Sequence, residues 1–249
     1  MSAAIYRASF RPRFYEVGAD GKVRHDVVLD WLQEAAGTQA FDFGMEMAKV
    51  MARGVTWAIS RQRALFHGRP GLGEEIWVET WPAKLVPQAA LRGYRVSDGD
   101  GRLLVSAIAA WVVLDLKTFK PIDDLPGFLT GIPFEPGDLL SFERRVIPAV
   151  REGLTSTATA VGASHLDMNG HVNNARQAAL VLDAAFASRG VGADLREIDI
   201  LYRAQAGAGD VLEVVSEADG QATARHALRA HGGGLEIARA ATAWVEQKS

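Results

Sequence analysis

Cysteine is absent from the whole chain. That excludes disulfides, a thiol nucleophile and thiolate zinc sites, and it fits a reducing, cytoplasmic setting. No run of about 18 apolar residues occurs, so no membrane-spanning helix is expected. The opening "MSAAIYRASFRPRFYEV" lacks an apolar core of about 7 residues, so no secretory signal is expected either. A basic excess is missing: the net charge is -3, which gives no footprint for nucleic acid. Low-complexity tracts are missing too. What remains is 249 residues, 48% of them hydrophobic, enough for a substantial core in one large domain or two small ones.

The two halves match each other. "DGDGRLLVSAIAAWVVL" (98–114) lies over "HGGGLEIARAATAWVEQ" (231–247), pairing Trp111 with Trp244 and Gly101 with Gly234. Upstream, "LFHGRPGLGEEIWV" (65–78) lies over "LYRAQAGAGDVLEV" (201–214), pairing Phe66 with Tyr202 and Gly73 with Gly209. A helical segment precedes these strands in each half. In "DVVLDWLQEAAGTQAFDFG", Val28, Leu32, Ala35 and Ala36 recur at helical spacing, with Asp26 expected as N-cap and Gly44 as stop. In "NARQAALVLDAAFASRG", Asn174 is the expected cap and Gly190 the stop. "SDGDGR" and "AHGGGL" read as hairpin turns. "EIWVETW", "LRGYRV" and "DVLEVVS" read as strands. Each half is therefore expected to be an α+β unit, one long helix packed on an antiparallel sheet. The boundaries expected are 1–120 and 144–249. Residues 121–143, with Pro121, Pro126, Pro133 and Pro136, read as a linker crossing the surface.

The segment "ASHLDMNGHVNNARQ" (163–177) crowds Asp, Asn and His against the start of the second helix. Asn and Asp cap helices and fill turns, so a decorated turn is one reading. The other is a hydrolytic site. If the segment is extended, Asp167, Asn169 and His171 share a face. Asp can attack or deprotonate water, His can shuttle a proton, Asn can hold water or a carbonyl, and the helix N-terminus offers N–H groups to an oxyanion. Asn173 and Asn174 are first of all caps. A metal held by His165, Asp167 and His171 is chemically conceivable, but further ligands are lacking, so no metal or cofactor is expected.

These residues resemble the acyl-ACP thioesterases of plants and bacteria, where ACP is acyl carrier protein. "LDMNGHVNNARQ" is similar to that family's Asp-x-Asn-x-His-Val-Asn-Asn signature. "RFYEVGADGKV", "LQEAAGTQAFDFG", "GVTWAISRQR", "ETWPAKL" and "AAWVVLDLKTFKPI" resemble its first half. The resemblance implies a double hotdog, each half a long helix wrapped by an antiparallel β-sheet. It implies hydrolysis of fatty acyl-ACP with Asp167, Asn169 and His171 as catalytic residues, and an acyl chain held in the first half. The matching turn there, "VGADGKVRHD", lacks the set and serves as a built-in control. Where the family carries a Glu after the second helix, this chain has Gln205, and Ala206 stands where plants have Cys. Gln205 can hold a water but cannot take a proton.

ACP is acidic, so attraction to this chain must be local. Arg61, Arg63, His67 and Arg69 occupy odd positions, and on an extended strand they would form a basic stripe. Arg144 and Arg145 are a second candidate. Trp57, Trp31, Phe41 and Phe43 are candidate lining for the acyl chain or ordinary core; Asn173 and Asn174 border the substrate. An acyl-CoA thioesterase and a non-catalytic acyl-binding protein remain alternatives, and the chains can still pair as homodimers.

Overall fold

The computed structural model describes residues 4–143, 146–190 and 193–245. Arg144 and Arg145 therefore lie outside the described residues. The chain divides into two compact units, the first ending at Ser141 and the second beginning at Phe142.

In the first unit, β1 (Tyr6–Phe10) leads through a short 3-10 turn into helix α1 (His25–Asp42). A six-residue helix α2 (Met47–Ala52) follows, then strands β2 (Val55–Phe66), β3 (Ile76–Val86), β4 (Ala89–Asp98) and β5 (Leu103–Asp115). The antiparallel order is β1-β3-β4-β5-β2. Helix α1 buries Val28, Leu32, Ala35 and Ala36, as the spacing requires. Asp26 is not its N-cap. Arg24 holds that position, and Asp26 sits in the first turn paired with the Arg24 guanidinium at 3.1 Å. The helix ends at Asp42, and Gly44 takes φ +66°, a conformation that costs glycine little.

The segment expected as a bare linker is built into this unit. Asp124 caps a short helix α3 (Leu125–Phe128) by accepting from Gly127 N at 2.8 Å. Leu125 and Leu129 join a core cluster with Val50, Val55, Ala90 and Val113, and Ile122, Phe128, Ile132 and Phe134 pack around it. Glu135 N–H then donates to the Pro82 carbonyl at 2.9 Å. Pro126 sits in the first turn of α3, where proline is tolerated, and the apolar residues between the prolines are buried or half-buried against this core rather than solvated. The first unit is a helix-on-sheet body closed by this strap.

The second unit repeats the plan. Short strands β6 (Leu154–Thr155) and β7 (Thr159–Ala160) precede a 3-10 turn and helix α4 (Asn174–Arg189). Strands β8 (Leu195–Tyr202), β9 (Val211–Ala218), β10 (Thr223–Ala230) and β11 (Glu236–Trp244) follow. Their order is β8-β11-β10-β9-β6, all antiparallel, with β7 also on β9. Gly190 closes α4 with φ +93°. The correspondence between halves is written in the backbone. The bridge Val17–Val23 matches Leu166–Val172, and Lys22–Gly71 matches His171–Gly207. Gly73 and Gly209 share positive φ (+84° and +86°). The hairpins differ in detail: Gly101 is left-handed in one, Gly232 and Gly233 in the other.

Candidate functional site

The polar turn of the second unit is built from its backbone outward. Asp167 N–H donates to the His171 carbonyl at 2.8 Å, and Gly170 N–H to the Asp167 carbonyl at 3.0 Å. The Asp167 carboxylate folds over this loop. Its Oδ1 accepts from Asn169 N at 2.8 Å and from His171 N at 3.3 Å. The segment is thus an Asx turn with Gly170 at φ +76°, not the extended run that would put three side chains on one face. A tight turn gathers the same residues by a different route.

The loop after β8 locks onto it. Val172 N–H donates to the Ala206 carbonyl at 2.8 Å, and His171 bridges Gly207. Gln205 therefore stands beside the turn, exposed. Asn173, not Asn174, caps α4: its Oδ1 accepts from Ala175 N at 2.8 Å. Asn174 is the first helical residue, and its carbonyl accepts from the Tyr202 hydroxyl at 3.3 Å. His165 is structural, its Nδ1 accepting from Gly162 N at 3.0 Å.

The side chains of Asn169, His171 and Gln205 make no hydrogen bond to any described residue, nor does Asp167 Oδ2. One carboxylate oxygen is fixed by two N–H donors while the other is free. Beside it lie an imidazole and two amides at the N-terminus of a 16-residue helix. That assembly can hold and deprotonate a water, and it can stabilise an oxyanion.

Sequence reasoning missed Gln177. It is buried under this turn, donating its Nε2 to the Val172 carbonyl at 3.0 Å, while its Oε1 has no partner. It braces the bridged segment of His171 and Val172. The signal was a lone amide on an apolar helix face.

The other expected residues lie in the first unit. Arg61, Arg63 and Arg69 do not form an exposed stripe. Strand β2 ends at Phe66, before His67 and Arg69, and within it Gln62 and Arg63, on opposite faces, are both buried. Arg63 donates to the Ser141 carbonyl. Arg69 pairs with Asp20 and donates to the Val23 carbonyl at 3.1 Å. Arg61 is half-buried. Trp57 lies edge-on between Trp111 (6.3 Å) and Phe128 (6.0 Å), against the core cluster. Trp31 is core, stacked on Phe10, whereas Phe41 is exposed. The control turn carries Gly18, Asp20 and Lys22 where the second unit has Asp167, Asn169 and His171. Arg69 takes the place of Gln205.

Comparison with known proteins agrees over most of the chain. The model of the acyl-ACP thioesterase N-terminal domain matches residues 3–130, and that of the C-terminal domain matches residues 151–246. An acyl-[acyl-carrier-protein] hydrolase of Cuphea viscosissima, described as chloroplastic, is 27% identical over 263 residues, 96% of this chain. A palmitoyl-acyl carrier protein thioesterase of Arabidopsis thaliana is 26% identical over 270 residues, again 96% of this chain. The chain spans 62% and 64% of the lengths of these two relatives. The solved acyl-ACP thioesterase of Bacteroides thetaiotaomicron superposes with a TM-score of 0.85, at 21% identity, covering 97% of this chain and 98% of that one. The 12:0-ACP thioesterase of Umbellularia californica gives 0.81, at 20% identity, covering 98% and 94%.

Proposed function

The chain belongs to the acyl-ACP thioesterase family, and from that premise we propose that it hydrolyses fatty acyl thioesters carried on ACP, releasing free fatty acid. The observation that carries the reading is the half-occupied Asp167 carboxylate, held by two backbone N–H groups and flanked by unpartnered His171, Asn169 and Gln205.

In this mechanism Asp167 takes a proton from a water held by Gln205 and Asn169. The water oxygen bonds to the thioester carbon, and the carbonyl π electrons move to oxygen. N–H donors at the start of α4 stabilise that oxyanion. Collapse breaks the C–S bond, and His171 relays the proton from Asp167 to the departing thiolate, which regenerates the Asp167 carboxylate and leaves acid and thiol. Gln205 positions water but takes no proton, so the base is Asp167.

The acyl tail lies in the first unit by the same reading, with Trp57 among its contacts. The test is hydrolysis of acyl-ACP and acyl-CoA across chain lengths. A higher kcat/KM on ACP supports the proposal. A preference for CoA moves the carrier, and binding without turnover by the purified protein overturns the catalytic reading.

A further inference from the structure

The first unit contains a cation with no anion among the described residues. Arg92, on β4, faces α1: its NH1 donates to Gln39 Oε1 at 2.5 Å and to Thr80 Oγ1 at 3.1 Å. Gln39 and Thr80 are both buried, and both are neutral. Gln39 is held in turn by the Ala4 carbonyl at 2.8 Å, and Thr80 by the Gly93 carbonyl at 3.1 Å. The remaining Arg92 donors, Nε and NH2, meet no acceptor among the described residues. Arg92 sits deep enough for burial to lower its pKa, yet part of its surface stays open. A guanidinium in such a place is stabilised by a carboxylate, and none of the described residues supplies one.

Its surroundings point to the acyl site. Alternation along β4 puts Ala90, Arg92 and Tyr94 on one face. Ala90 belongs to the apolar cluster against which Trp57 packs. The Tyr94 hydroxyl accepts from Trp111 Nε1 at 3.2 Å, and Trp111 stands edge-on to Trp57. Trp57 Nε1 is itself buried without an acceptor. The same face therefore offers two sets of donors lacking acceptors, set among aromatic rings. A wholly hydrocarbon tail arriving there would strip water from the guanidinium and return nothing.

We propose that Arg92 is the receptor for a carboxylate at the far end of the acyl chain, so that the enzyme accepts dicarboxylic acids joined to the carrier through one end. Guanidinium and carboxylate match as a two-pronged, charge-assisted pair, and Gln39 and Thr80 hold the fork in place. This rests on the thioesterase reading and on the tail lying in the first unit.

The test uses the full chain and matched acyl-ACP pairs, short to long, ending in either a methyl or a carboxylate. At one chain length or more, wild type is expected to process the carboxylate-ended member at least as well as its partner. Arg92→Leu should shift that ratio of kcat/KM towards the methyl-ended member by tenfold or more, and Arg92→Lys by less. Calorimetry with free dicarboxylic and monocarboxylic acids reads the same preference without turnover. If wild type cleaves methyl-ended chains and rejects every carboxylate-ended one, the inference falls and the thioesterase reading stands. If nothing is cleaved but the dicarboxylic acid binds and Arg92→Lys weakens it, the site stands and the thioesterase reading falls. Should Arg92→Leu not fold, the wild-type ratio and Arg92→Lys still decide.

Discussion

At the scale of single residues, Asp167 is asked to do two things, and they can be separated. Its Oδ1 holds the turn by accepting two backbone N–H groups; in the proposed mechanism its other oxygen takes the proton. Asn keeps an Oδ1 acceptor but has no basicity. Asp167→Asn is therefore expected to leave the melting temperature within a few degrees of wild type while turnover falls by about a hundredfold or more. Turnover at the wild-type rate in the folded variant would remove Asp167 from the mechanism. A second residue-scale prediction concerns acid. His226 is fully buried between Ser216 Oγ (2.8 Å) and Thr242 Oγ1 (2.9 Å). Burial, with Arg189 adding to it, pushes its pKa down to about 4. Between the ordinary value of about 6.5 and 4, the unfolded chain binds a proton that the folded chain refuses. The stability present above pH 6.5 is thus lost as pH falls, by roughly 3 kcal/mol once below pH 4. Urea denaturation at stepped pH should show this slope, and His226→Gln, which can still bond both hydroxyls, should flatten it. Parallel curves would exonerate His226. The polar turn was legible residue by residue because its chemistry is local in sequence. Gln177 and Arg92 were not: what makes them matter is burial beside a distant carbonyl or the lack of a distant carboxylate.

Elements were legible where one period runs unbroken. The helices announced themselves by apolar residues at helical spacing and by Gly190. The strands did so by β-branched and aromatic runs between glycine turns. The failures come from broken periods. β2 stops at Phe66, short of His67 and Arg69, and both of its faces are covered at Gln62 and Arg63, so the basic stripe that strict alternation predicted does not form. Prolines spaced through residues 121–136 hid a strap whose apolar residues close the core of the first unit. Pairing of β3 with β4 supplies a sharper test of packing. Gly93 sits opposite Trp81, whose ring is buried. A methyl group at Gly93 would stand 2.4 Å from that ring, inside contact distance. Gly93 has no positive φ to lose, so the effect of Gly93→Ala is steric alone. The expected cost is about 1–3 kcal/mol, measured by chemical denaturation. A neutral result would mean that Trp81 swings aside freely.

At the scale of the molecule, the two units share a plan and differ in chemistry. Their duplication was readable from matched Trp and Gly positions, and the bridged turns and glycine angles repeat it. What the pattern of duplication alone does not say is how many sites it makes. Residue identity answers that. In the first unit the turn has no carboxylate where Asp167 stands, because Gly18 is there, and Lys22 replaces His171. Arg69, at the place of Gln205, is tied to Asp20 and to the Val23 carbonyl, so the turn is cross-linked from the side where a water would be held. The base position is empty of a carboxylate, and the carboxylate the turn does carry, Asp20, is paired with the Arg69 cation. This turn is a brace, and each chain should carry one catalytic site. A non-hydrolysable acyl thioether on ACP, titrated into the protein in a calorimeter, should bind with a stoichiometry of one per chain. Asp167→Asn should leave that stoichiometry intact while abolishing turnover on the ordinary thioester. A second equivalent bound with comparable affinity, and weakened by Arg69→Ala, would show instead that the first turn is a working site of its own.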